Sequence, residues 1–213
     1  MFTINSKTST TYGYYHTHTE IEPPEPKRST GSVPLADGIV DFTALLSPLQ
    51  FYETREIRLT METTKLRSQW LGDYKTVMKD LHGKAVTLEI DNDTGYYWTG
   101  YATVGPLEDH GASAAVTITV EAAPFKRTKT KTTLYNAAVS GDVAVTATVS
   151  EMRGYLTFTT SAANCTVTYD GQTWTLPLGT STAYGLTLPT GNNSITLHAS
   201  GATIKVELEE GTL

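Results

Sequence analysis

A single cysteine, Cys165, stands in this chain of 213 residues, so no intramolecular disulfide and no cysteine-rich metal site can form within it. Cys165 lies in the alternating run Asn-Cys-Thr-Val-Thr-Tyr, with no histidine or arginine beside it to favour a thiolate, and reads as a small buried hydrophobe. Positive charge is also scarce. Sixteen Lys and Arg against 22 Asp and Glu leave a formal charge of -6, which disfavours nucleic acid and anionic membranes as partners. No stretch approaches the roughly 20 apolar residues of a membrane span. The opening Met-Phe-Thr-Ile-Asn-Ser-Lys-Thr lacks the apolar centre of a signal peptide, so a soluble chain made in the cytosol is expected.

Catalytic signatures are missing as well. There is no Gly-x-Ser-x-Gly, no His-Glu-x-x-His, no phosphate-binding glycine loop and no dinucleotide fingerprint. Adjacent carboxylates such as Glu108-Asp109 and Glu209-Glu210 would point apart on a strand, whereas a glycosidase needs two facing each other. Asp91-Asn92-Asp93-Thr94-Gly95 starts like a calcium loop, but its glycine comes one residue early and the closing Glu is missing. His16 and His18 would share one side of a strand as half of a metal site, without a third ligand to complete it. His82 is expected at a helix end, where a cation suits the dipole. No enzyme activity, cofactor or metal is therefore expected.

What is present is mainly β. Residues 12–15 and 17–21 suggest short strands, and Pro23-Pro24-Glu25-Pro26 forces an extended segment. Residues 55–63 alternate, with Ile57, Leu59 and Met61 on one face. One helix follows, with Ser68 as its N-cap, Leu66 at its entrance, and Trp70, Leu71, Tyr74, Val77, Met78 and Leu81 at helical spacing. Lys75 and Lys79 take its wet face, and Gly83 suits a left-handed cap. Residues 85–90 and 96–104 flank the Asp91–Gly95 turn as a hairpin, and 114–122 closes the sheet.

The basic run Lys126-Arg-Thr-Lys-Thr-Lys131 marks a change in composition. Beyond it Arg153 and Lys205 are the only basic residues, and the domain boundary is expected near Thr130. The remainder reads as short strands at 143–149, 155–160, 165–169, 173–176, 194–198 and 203–208. Turns are expected at Asp170-Gly171 and at residues 189–193, the pattern of a β-sandwich. Tyr96, Tyr97, Trp98 and Tyr101 crowd one hairpin and suit either sheet packing or a protein interface. Trp174 and Tyr184 could stack on a sugar or fill the sandwich core.

Taken in order, several segments resemble the distal tail proteins of long-tailed phages and prophages of Gram-positive bacteria. They are Glu22-Pro-Pro-Glu-Pro-Lys27, Val33-Pro34 and Asp37-Gly38 leading into Val40-Asp-Phe-Thr43, and then Phe51, Tyr52, Arg55, Ile57 and Leu59. Leu81-His-Gly-Lys84, Asp91 to Tyr101, the exit Glu121-Ala-Ala-Pro-Phe-Lys126, and the close from Gly191 through Gly201 to Leu213 continue it. Ala122 and Ala123 stand where that exit often carries cysteine.

The resemblance implies a mainly β chain in two parts. Residues 1–130 would be a β-sandwich-type hub domain with one helix and a β-hairpin, and 131–213 a galectin-like β-sandwich outside the ring. The hub would close into a homo-hexameric ring at the tail tip, between the major tail tube protein and the tail-tip or lysin protein. In some members receptor-binding proteins attach as well. DNA would pass through the lumen without sequence recognition. Pro23, Pro24, Pro26, Tyr96, Tyr97, Trp98 and Tyr101 are the candidate ring and tube contacts. The alternative is a carbohydrate-binding adhesion module gripping sugar through Trp174 and Tyr184.

Overall fold

The computed structural model describes residues 1–32, 40–43 and 49–213, apart from the side chains of Val40 and Tyr184. Val33-Pro34 and Asp37-Gly38, two of the segments that carry the resemblance, lie outside the described residues. The chain divides into two compact units, Met1–Lys126 with Leu213, and Arg127–Thr212.

In the first unit β1 (Phe2–Ile4) and β2 (Lys7–Thr8) form a hairpin through Asn5 and Ser6. A 3-10 turn at Ser9–Tyr12, not a strand, then leads into β3 (Tyr15–Ile21). Thr30–Gly31 (β4) and Val40–Asp41 (β5) make a separate small ladder. Next come β6 (Arg55–Thr63), helix α1 (Arg67–Leu81), β7 (Lys84–Ile90), β8 (Tyr96–Asp109) and β9 (Ala114–Ala122). All pairings are antiparallel, in the order β2–β1–β7–β8–β9–β6–β3. The sheet curls back on itself, because His16 of β3 meets Phe2 of β1 edge to face at 5.2 Å.

Period-two alternation on β6 and β9 puts Ile57, Leu59, Met61, Val116, Ile118 and Val120 on the concave face, all fully buried. The helix covers part of that core with Trp70, Val77 and Leu81, and Tyr74 Oη donates to Gly105 O at 3.1 Å. Its start differs from the Ser68 cap. Leu66 is the N-cap in extended backbone with no side-chain cap, and Ser68 sits inside the first turn. The entry is instead held by the Trp70 indole, which donates to Lys65 O at 2.9 Å while its ring is buried. Leu71, expected on the apolar face, is 55% exposed, and Leu66 at the entrance is 73% exposed.

At the other end Gly83 adopts φ 70. His82 stands at this end, and its Nδ1 accepts from Val104 N–H at 3.1 Å, tying the helix end to β8.

In the second unit the expected short strands merge. After a short β10 (Lys126–Thr128), a long β11 (Thr132–Thr160) and β14 (Gly179–Thr212) run with β12 (Cys165–Tyr169) and β13 (Gln172–Leu176). The pairings resolve two sheets. One has segment order 132–139, 202–211, 153–160, 179–189; the other has 141–149, 191–199, β12, β13. The chain changes sheet at Gly141, Gly191 and Gly201, whose φ values of 86, 106 and 85 turn the corner without Cβ strain. The turn expected at 189–193 is one of these corners, held by Asn193 Nδ2 donating to Pro189 O and Gly191 O. Asp170 and Gly171, at φ 47 and 74, make the two-residue hairpin. One core of Phe158, Leu188, Ile204 and Val206 from the first sheet and Val167, Ile195 and Leu197 from the second lies between them. Cys165 belongs to it, buried.

Candidate functional site

The convex face of the first unit's sheet carries the residues that alternate with the core. Register aligns Glu20 with Arg58, Arg58 with Thr119 and Thr119 with Thr103; one step along, Glu56 faces Glu121 and Glu121 faces Tyr101. Side chains opposite each other on adjacent strands lie on one face, so these far-apart residues form one surface.

Its charge is strongly one-sided. Arg58 is shared by Glu56 at 2.5 Å, Glu22 at 3.1 Å and Glu20 at 3.2 Å. These bonds, from Glu20 first and then Glu56, raise the guanidinium pKa further, so the arginine stays charged. Glu22, Glu25, Glu53, Glu56 and Glu121 line a cavity of about 640 Å³ together with Arg55, Thr103 and Thr119, and Glu53 pairs with Lys27 at 3.2 Å. A neighbouring depression of about 480 Å³, lined by Thr87, Thr99 and Tyr101, shares Thr54 and Glu121 with it. Tyr101 is 64% exposed there.

The proline segment forms one wall. Glu22 N–H donates to Glu56 O, Glu53 N–H to Glu25 O and Lys27 N–H to Phe51 O, at 2.8–3.0 Å. The chain thus pairs with residues 51–56 through the amides that its prolines leave available. Pro24 is buried, while Pro23 and Pro26 are exposed on that edge. The aromatic hairpin divides. Trp98 is buried and Tyr96 half-buried under Lys126, whose ammonium lies 4.9 Å from the Tyr96 ring and pairs with Asp93 at 2.7 Å. Tyr97 is half-buried, and only Tyr101 of the four is exposed. Arg55 is buried at the end of the core face, and desolvation lowers its pKa.

Other expectations resolve differently. A bulge at Thr17 pairs His16 with Met61 and His18 with Thr60, which puts the two imidazoles on opposite faces and undoes the half-site. Among the described residues no group of three or more His, Cys, Asp or Glu could hold a metal. Burial is the main cause that lowers the His16 pKa below 6.5, while its Nε2 bonds Thr19 Oγ1 at 2.7 Å. The unfolded chain therefore takes up the proton first. Stability should hold above pH 6.5 and fall as pH drops through that value toward the lowered folded pKa. His16→Gln should narrow the gap between unfolding midpoints at neutral pH and at about pH 5. An unchanged gap would assign the pH dependence elsewhere.

In the second unit Trp174 is half-buried against the core and opposite Val167. The side chain of Tyr184 lies outside the described residues.

No family model and no curated protein matches this chain. Among solved structures it is similar to the Dit protein of phage SPP1, described as a paradigm of the hub adsorption apparatus in phages infecting Gram-positive bacteria. Identity is 13%, the TM-score is 0.61, and the match covers 100% of each chain. Over its whole length the chain has the fold of that phage distal tail protein, the family its sequence segments resemble.

Proposed function

We propose that this chain is a non-enzymatic structural hub of a phage tail. The observation carrying this reading is the fold shared with a tail hub protein from end to end of both chains at a TM-score of 0.61. A one-unit match would speak only for a common β-sandwich, since folds host many functions. In this reading the first unit closes into a hexameric ring at the tail tip, as a component of the virion. The ring joins the tail tube protein on one side and the tip or lysin protein on the other, with host-recognition proteins attached in some particles. The second unit is a galectin-like sandwich beside that ring.

A ring subunit must present two different, mutually complementary faces, and the acidic convex sheet can be one of them. Mass measurement of the purified chain across a wide concentration range tests the reading. A closed assembly of about six copies is expected. A chain that stays monomeric at high concentration, and also fails to join purified tail tubes, would refute it.

A further inference from the structure

The convex sheet keeps a costly feature. Glu56 and Glu121 are direct cross-strand partners, an arrangement that disfavours the isolated sheet. Glu56 shares Arg58 with two other carboxylates, while Glu121 accepts from a hydroxyl, Thr54 Oγ1 at 3.0 Å, and makes no ion pair among the described residues. The surface has more negative charge than it neutralises.

Another face of the same unit has the reverse imbalance. Helix α1 turns Trp70, Val77 and Leu81 to the core, so its other face points away from the sheet. That face presents Leu71, Lys75 and Lys79, all exposed. Lys65 and Arg67 nearby are taken by Asp73 and Asp109, but Lys75 and Lys79 make no ion pair among the described residues. Gly72 lies beside them with open space around it, so a partner surface can come close.

Spacing agrees with charge. Residues four apart on a helix are about 6 Å apart along the axis, and directly paired residues on adjacent strands lie about 5 Å apart. Two lysines at that helical spacing can meet two carboxylates at that sheet spacing. Leu71 and Tyr101 supply apolar area at the two faces.

We infer that the convex acidic sheet of one copy receives the Lys75–Lys79 face of helix α1 from the next copy. This contact rests on the hub reading and names the two faces that meet in it. The two faces are different surfaces of the first unit, so the contact is head to tail and can repeat around a ring.

Two doubly reversed full-length variants test it: Lys75→Glu with Lys79→Glu, and Glu56→Lys with Glu121→Lys. Each should fold, as seen by circular dichroism, and each alone should lose self-association by roughly tenfold or more. Mixed in equal amounts they should reassemble, because each then offers the other an opposite charge at both faces. Unchanged assembly of either variant, or failure of the mixture to recover, would overturn the pairing while leaving the hub reading standing. A wild-type chain that never associates would sink both.

Discussion

Glu209→Ala is expected to destabilise the second unit by about 2 kcal/mol, below the roughly 3–5 kcal/mol of a fully buried pair because Arg127 and Lys131 remain partly solvated. Glu209 is only 3% exposed. Arg127 and Lys131 approach its carboxylate at 3.8 and 3.9 Å. The Arg127 guanidinium also lies 4.2 Å from the Tyr155 ring, and Arg153 is buried nearby enough to act on the same phenol. Burial is the main cause raising the Tyr155 pKa, which marks the surroundings as poorly solvated. Without Glu209 the partly exposed Arg127 and Lys131 keep some hydration but repel each other and the buried Arg153. Glu209→Gln should cost nearly as much, since the amide keeps the shape and loses the charge. Denaturation followed by Trp174 fluorescence reports this unit, the only one of the three tryptophans within it. A loss below about 1 kcal/mol would mean that the pairs behave as exposed ones.

That cluster shows what sequence reading can and cannot reach. The basic run at Lys126–Lys131 is visible as composition and marks the change between the two units, but its carboxylate partner is some eighty residues away in β14. Strands β6 and β9 are legible residue by residue, because strict alternation beside a buried face leaves one register possible. The Asp170-Gly171 hairpin is legible for a local reason, two residues that tolerate positive φ. The segments 132–139 and 179–189 are not, because small and polar residues fall on both faces and blur the alternation, Asn136, Ala137 and Ala138 in the first and Thr180, Ser181 and Thr182 in the second. The acidic convex face is hidden more deeply. Glu20, Glu22, Glu56 and Glu121 look like scattered surface charges until pairing of β3, β6 and β9 aligns them. The aromatic hairpin was conspicuous as a cluster, yet its members divide between core and surface, and only Tyr101 reaches the solvent-facing sheet. His16 and His18 fail as a pair because one bulged residue reverses the parity of a strand.

Gly100→Ala is expected to destabilise the first unit by about 3 kcal/mol, at the upper end of ordinary overpacking. Gly100 pairs with Ala122 across β8 and β9. A Cβ at this position would meet Glu121 O at 2.3 Å and the Ala122 Cα at 2.8 Å. These are backbone atoms of the neighbouring strand, so no side chain can rotate aside, and the two strands must separate. The methyl would therefore displace the ladder that places Tyr101 beside Glu121. Self-association should weaken along with stability if the convex sheet meets the next copy. The same substitution on the helix provides the opposite sign. At Gly72 no atom beyond its chain neighbours and the helix's own backbone lies within 4 Å of the added methyl, and glycine in a helix interior costs roughly 0.5–1 kcal/mol relative to alanine. Gly72→Ala should therefore stabilise the isolated subunit while thickening the face that the inferred contact needs thin. Raised unfolding midpoint with weakened assembly would separate fold from interface in a single variant. A Gly100→Ala protein as stable as the parent would show that β8 and β9 yield more readily than their close approach implies.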